Sequence, residues 1–422
     1  MKRAVIDLAG LGALLAEIVR KGYELIGPRV RDGVIAYDEI SGVGDLPRGW
    51  GDEQEAGRYR VVKRGNGAFF AFATCPDSPK KFVLERSHTL WTARRSHDGQ
   101  LEIDATSPLP PRRAIIGVRA CEIAALQKFD RIFRRGSAVD RHYGERRQRL
   151  LLVAVQCGFP AATCFCASMG SGPDVRDGYD ILLTEILEDG AHRFVVNVAT
   201  PAGLEVLAPV PTRSVEEADD LAASGVLDRA RKAMGRSLQT AGLRDLLCSS
   251  VESDHWDDVA RRCLSCANCT MVCPTCYCTS ISDTSRLSGN VATRVRSWDS
   301  CFTLEFSALH GGTVRSSTRS RYRHWLAHKL ASWHDQFGGS GCVGCGRCIT
   351  WCPVGIDLTA VVGELQSLHG VQPASGEAPS SRTAARSTLP QNSDRTEQGR
   401  ASCPFSHKRT EEAVAHETRP HS

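Results

Sequence analysis

The chain has 422 residues, 41% of them hydrophobic, enough for a large buried core and for two or three domains. Its 53 basic and 48 acidic residues leave a net charge of only +5, which gives no electrostatic footprint for nucleic acid. No stretch reaches the roughly 20 uninterrupted apolar residues of a membrane span, so a soluble chain is expected, with 18 cysteines to explain.

The N-terminal stretch begins with Lys2 and Arg3, but Asp7 and Glu17 interrupt its apolar run and no clean cleavage site follows, so export is not expected. Leu8, Leu11, Leu14, Leu15, Ile18 and Val19 recur at helical spacing and predict an amphipathic first helix packed on a domain. In a reducing cytoplasm, cysteines at this density point to metal or redox chemistry rather than to disulfides.

Up to about residue 245, helical patterns alternate with the β-rich runs YRVVKR, FFAFAT, RAIIGVRA, LLLVAVQC and HRFVVNVA, the mixture of an α/β or α+β domain. Cys121 and Cys157 each end such a run. If the two strands are parallel neighbours, both thiols emerge at the carboxyl edge of the sheet, where open α/β folds place their ligands. Cys164 and Cys166 follow shortly, before a Gly-rich SMGSGP, so four thiols can converge. A third [4Fe–4S] cluster on Cys121, Cys157, Cys164 and Cys166 is the sharper hypothesis; buried or redox-reactive thiols are the alternative, because C-x-C is an unusual cluster spacing. Cys75 and Cys248 show no constellation.

Residues 246–370 read as a compact, mainly helical metal domain. Cys263, Cys266, Cys269 and Cys273-Pro274 follow the spacing C-x2-C-x2-C-x3-C-P, and Cys342, Cys345, Cys348 and Cys352-Pro353 repeat it. Structural zinc needs neither the third cysteine nor the Cys-Pro, twice over. In two-cluster ferredoxins the fourth cysteine of each run binds the other run's cluster. One [4Fe–4S] cluster is therefore assigned to Cys263, Cys266, Cys269 and Cys352, and a second to Cys342, Cys345, Cys348 and Cys273. Cys276, Cys278 and Cys301 are additional ligands, ligands of an alternative arrangement, or thiols packed against the clusters, the last reading leading.

The segment 319–337 places Tyr322, Trp325, Leu326, Leu330, Trp333 and Phe337 on one helical face, with Arg321, Arg323, His324 and His328 largely elsewhere. His324 and His328 lack the acidic partner of a zinc-protease motif. Residues 371–422, rich in Ser, Thr, Pro and Arg, predict a disordered tail in which Cys403 is a free thiol. The architecture expected is α+β: a mixed α/β domain over 1–245, a helical two-[4Fe–4S] ferredoxin-like domain over 246–370, and the tail. No dinucleotide fingerprint, Walker A loop, nucleophile elbow or H-E-x-x-H motif is present, so no flavin or nicotinamide site is expected in this chain.

GVRACE, TCFCASMGSGP, CLSCANCTMVCPTCYC, RVRSWDSCF, RYRHWLAHK and GCVGCGRCITWCPVGID, in that order, resemble the iron–sulfur beta subunit of soluble NAD(P)-linked [NiFe]-hydrogenases, the sulfhydrogenases, over about residues 10–365. The sequence is also similar to the electron-carrying iron–sulfur component of anaerobic sulfite reductase. The resemblance implies a non-catalytic electron carrier in a cytoplasmic complex, beside a flavoprotein that handles NAD(P)H and the small and large hydrogenase subunits. For the sulfite reductase it implies a sirohaem partner instead. A sulfur-reducing activity at Cys121, Cys157, Cys164 and Cys166 is the enzymatic alternative.

Overall fold

A computed structural model describes residues 2–105, 108–135, 139–188, 190–370 and Cys403. Its largest sheet has seven strands in the spatial order Lys2–Asp7, Ala191–Val198, Ile181–Glu188, Leu150–Val155, Arg113–Val118, Glu24–Arg31 and Val34–Glu39. The four central strands run parallel, and antiparallel partners close both edges. Parallel strands buried on both faces need continuous apolar runs, and Ala114, Ile115, Ile116, Leu151, Leu152 and Val153 are all in the core. Leu11, Leu14, Leu15 and Ile18 of helix Leu8–Arg20 pack there, with Asp7 accepting the Gly10 N–H at 2.8 Å as its N-cap. Val19, expected on that face, is 49% exposed.

The run FFAFAT is not a strand. It is a buried loop whose backbone is satisfied by charged side chains: Glu185 accepts the Phe69 and Phe70 N–H groups at 2.7 and 3.0 Å, Asp52 accepts that of Ala73 at 3.0 Å, and Arg119 donates to the carbonyls of Phe70 and Phe72. β-rich composition can signal burial without a ladder when such partners exist.

The second zone is less helical than expected. Thr279–Ser285 and Val291–Trp298 form a hairpin that pairs with Ser87–Arg95, itself paired with Leu101–Asp104, giving a four-stranded sheet shared between the two zones. A second core gathers Trp256, Val259, Phe302, Tyr322, Trp325, Leu326, Leu330, Ile349, Leu358 and Val362, and takes Phe165 from the first zone. Trp333 goes the other way, into the core of the large sheet, with Phe337 packed against it. The cause is a π-helical turn at His328–Ser332 between helices Thr318–Ala327 and Trp333–Phe337. The wider turn rotates everything after it relative to a regular helix, so the single face expected over 322–337 is split between two cores.

Arg347, within the second cysteine motif, is fully buried and pairs with the buried Glu122. Its other donors reach the carbonyls of Cys75 at 2.6 Å and Asp77 at 3.0 Å, while Glu122 accepts from Tyr37 at 2.8 Å and from the Arg119 N–H at 2.9 Å. Arg347→Met is expected to destabilise the protein by about 3–5 kcal/mol, because it strands a buried carboxylate. Denaturant unfolding measures this, and the double variant Glu122→Gln/Arg347→Met should recover part of the loss. The tail 371–422 lies outside the described residues apart from Cys403. That cysteine is not free: it is disulfide-bonded to Cys248, which correspondingly gains a partner the sequence did not reveal. No described helix is long and apolar enough to cross a membrane.

Candidate iron–sulfur centres

The two cysteine motifs fold alike. In each, the residue two after the first cysteine turns its N–H onto that cysteine's sulfur: Ser265 to Cys263 at 3.4 Å and Gly344 to Cys342 at 3.3 Å. In each, the second and fourth residues after the first cysteine have left-handed backbone: Ser265 and Ala267 (φ 52° and 65°), Gly344 and Gly346 (φ 61° and 75°). A short helix follows in both, Asn268–Met271 and Arg347–Thr350, and the two pack on each other. The glycines of the second loop have a steric reason beyond φ. A Cβ on Gly344 would lie 2.6 Å from the Phe165 carbonyl oxygen, and one on Gly346 2.6 Å from that of Thr163.

Cys263, Cys266, Cys269 and Cys352 line one cavity with Phe302, Tyr322, Trp325, Ile356 and Leu358. Cys348 also reaches its wall. The donor set is soft and entirely thiol, as a [4Fe–4S] cluster requires. The Tyr322 hydroxyl and Trp325 indole N–H, both on residues lining this cavity, are buried without a protein partner. Buried donors of this kind need an acceptor, and cluster sulfur would supply one. Burial pushes the Cys269 thiol well up, reinforced by Cys263, Cys352 and Cys266, so metal ligation rather than solvent would have to deprotonate it.

The second group is more widely shared. Cys342 and Cys348 face Cys345 and Cys273 electrostatically, but Cys345 also belongs to a small apolar cluster with Cys121 and Cys166. All four thiols expected of the first domain, Cys121, Cys157, Cys164 and Cys166, line one cavity together with Cys345, Arg119 and Thr74. Cys121 opens helix Ala120–Phe133 and Cys157 follows strand Leu150–Val155, at the carboxyl ends of parallel neighbours. The Cys164–Cys166 loop is pinned to the second motif by three bonds: the Phe165 N–H donates to the Gly344 carbonyl at 2.8 Å, the Ser171 hydroxyl donates to the Val343 carbonyl at 2.6 Å, and the Thr163 and Thr350 hydroxyls meet at 2.8 Å. Burial raises the Cys121, Cys157 and Cys164 thiols.

Two lysines join the site without having stood out in the sequence. Lys329, in the π-helical turn, is buried and donates to the sulfurs of Cys273 and Cys276 at 3.3 and 3.5 Å and to the Thr275 hydroxyl at 3.1 Å. Burial alone would lower its pKa, but the sulfurs of Cys273, Cys276 and Cys342 outweigh it and the net shift is upward. Lys80 is buried against the face of Trp298, 3.8 Å from its centre, and donates to the Cys273 carbonyl at 3.3 Å. Burial lowers its pKa, partly offset by Cys276, Cys273 and Cys278. A lysine among the apolar positions of a helix, as Lys329 is between Leu326 and Leu330, was the signal available. His324 and His328 are stacked on each other, 5.8 Å between centres.

Residues 262–356 match the family model described as a 4Fe-4S dicluster domain. The chain is also 31% identical over 291 residues to the sulfhydrogenase 2 subunit beta of Pyrococcus furiosus, an alignment that covers 68% of this chain and 82% of that protein. The chain belongs to the sulfhydrogenase beta-subunit family. No solved structure matches it significantly. As a beta-subunit homologue with a dicluster domain, it is an iron–sulfur protein with an electron-transfer role. The dicluster match in this beta-subunit homologue runs through both cysteine loops and the hairpin between them.

Proposed function

We propose that this chain carries electrons within a cytoplasmic complex, between a flavoprotein subunit that handles NAD(P)H and the small and large subunits of a [NiFe]-hydrogenase. Cys263, Cys266, Cys269 and Cys352 hold one [4Fe–4S] cluster, and Cys342, Cys345, Cys348 and Cys273 hold the second. Cys121, Cys157, Cys164 and Cys166 hold a third, beside Cys345. The reading is carried by the pair of like-folded cysteine loops packed helix to helix, with an all-thiol apolar cavity at the first and the four N-terminal thiols gathered against the second. Neighbouring clusters on one rigid core suit single-electron relay.

Anaerobic isolation with the native partners, followed by iron and acid-labile sulfide analysis and reduced-state EPR, tests it. About twelve irons per chain and a nickel-containing partner are expected. About eight irons would leave the N-terminal thiols unligated, and a sirohaem partner would move the chain to sulfite reduction.

A further inference from the structure

Three thiols of the dicluster domain, Cys276, Cys278 and Cys301, belong to neither ligand set, yet they are not scattered. The hairpin aligns Thr279 with Trp298, and the Asp299 N–H continues the ladder by bonding the Cys278 carbonyl at 2.9 Å. Cys278 therefore enters the hairpin and Cys301 leaves it at the same end. Their thiols are in hydrogen-bond contact, and the Cys301 backbone N–H also points to the Cys278 sulfur. Ser300 fixes the exit, its hydroxyl 2.8 Å from that of Thr270 and 3.1 Å from the Phe302 N–H.

The pair sits between the two cluster sites. Cys301 faces Cys269, assigned to the first cluster. Cys278 neighbours Cys276, which is in contact with Cys273, assigned to the second. Tyr277, between Cys276 and Cys278, is anchored by rings of Phe129, Phe133 and Trp333 at 6.0–6.5 Å, so the C-x-C segment is held in place. Among the described residues, no three His, Cys, Asp or Glu side chains close around a single metal ion. Sulfurs in pairwise contact are instead disposed for S–S bond formation. Lys329 and Lys80 place buried positive charge beside this sulfur array, which favours the anionic sulfur generated when an S–S bond is cleaved.

We propose that Cys278 and Cys301 are a redox-active dithiol, exchanging two electrons with the flanking clusters, one with each; this rests on the cluster assignment above. Oxidation breaks both S–H bonds, forms one S–S bond, releases two protons to water, and reduces each [4Fe–4S] cluster by one electron. Re-reduction of the disulfide reverses every part of that balance. The site would let a chain of one-electron carriers store a pair.

The test uses the full chain isolated anaerobically with its clusters. Coulometric titration is expected to show about two electrons more per chain for the unaltered protein than for Cys301→Ser, with equal iron content and equal reduced-state EPR. Acid quenching, alkylation and mass spectrometry should find the Cys278 and Cys301 peptides linked in the oxidised protein and doubly alkylated in the reduced one. Equal electron uptake in the two proteins, or alkylation of both cysteines in the oxidised protein, overturns the proposal. Loss of iron from Cys301→Ser overturns it as well, by making Cys301 a cluster ligand. Should Cys301→Ser not fold, Cys278→Ala and the trapping of the unaltered protein decide the same question. An unaltered protein without iron would sink the cluster assignment instead, and the trapping experiment would still report on the S–S bond alone.

Discussion

Cys352→Ala, a change in the second cysteine motif, is expected to remove the cluster held by the first, about four irons per chain, while Cys273→Ala removes the other. The reason is spatial: Cys352 lines the same apolar cavity as Cys263, Cys266 and Cys269, whereas Cys273 faces Cys342 and Cys348. Pairs of substitutions make the test decisive. Cys263→Ala/Cys352→Ala should lose no more iron than either single change, whereas Cys342→Ala/Cys352→Ala should lose both ferredoxin-type clusters. Iron and sulfide analysis reads the result, and EPR should show the coupling between clusters vanish in every single variant. If Cys352→Ala and Cys342→Ala proved to empty the same site, the crossed assignment would be wrong.

Lys329→Met should lower the reduction potential of the Cys273-bound cluster. Reduction adds negative charge, and the ammonium group 3.3 Å from the Cys273 sulfur favours it. A unit charge at about 4 Å in a medium of effective dielectric about 20 is worth about 4 kcal/mol, which for a one-electron couple is on the order of 150 mV. That figure is a ceiling, since cluster charge is spread over many atoms. The first cluster should move less, and Lys329→Arg should restore most of the shift. EPR-monitored redox titration separates the two clusters; an unchanged second potential would mean that the ammonium acts only in packing.

The cysteine loops were legible because their spacing is local: a loop wrapping a cluster needs thiols three residues apart, whatever surrounds it. The sheet edge was legible for a related reason, since RAIIGVRA and LLLVAVQC are the apolar runs that parallel strands require, and Cys121 and Cys157 end where those strands end. What escaped the sequence depended on distant partners. FFAFAT looked like a strand because nothing local reveals that Glu185, Asp52 and Arg119 satisfy its backbone. The hairpin at 279–298 was missed because its strands are polar and mostly not fully buried, so the alternation that marks a half-buried strand is absent. Lys329 was hidden by the π-helical turn, which no periodicity of 3.6 residues would place. The Cys248–Cys403 pairing joins positions 155 residues apart and left no trace in spacing.

The two cysteine loops are twins in backbone but not in what they can tolerate outside it. Ser265 and Ala267 carry side chains where Gly344 and Gly346 have none, and it is the second loop that lies against the carbonyls of Phe165 and Thr163. Exchanging the two loops would therefore preserve every cysteine and every dihedral angle, yet drive two methyl-sized groups into the segment that bears Cys164 and Cys166. The internal duplication has become directional: one copy is free to vary on its outer side, and the other is moulded to the N-terminal domain and to the thiols gathered there.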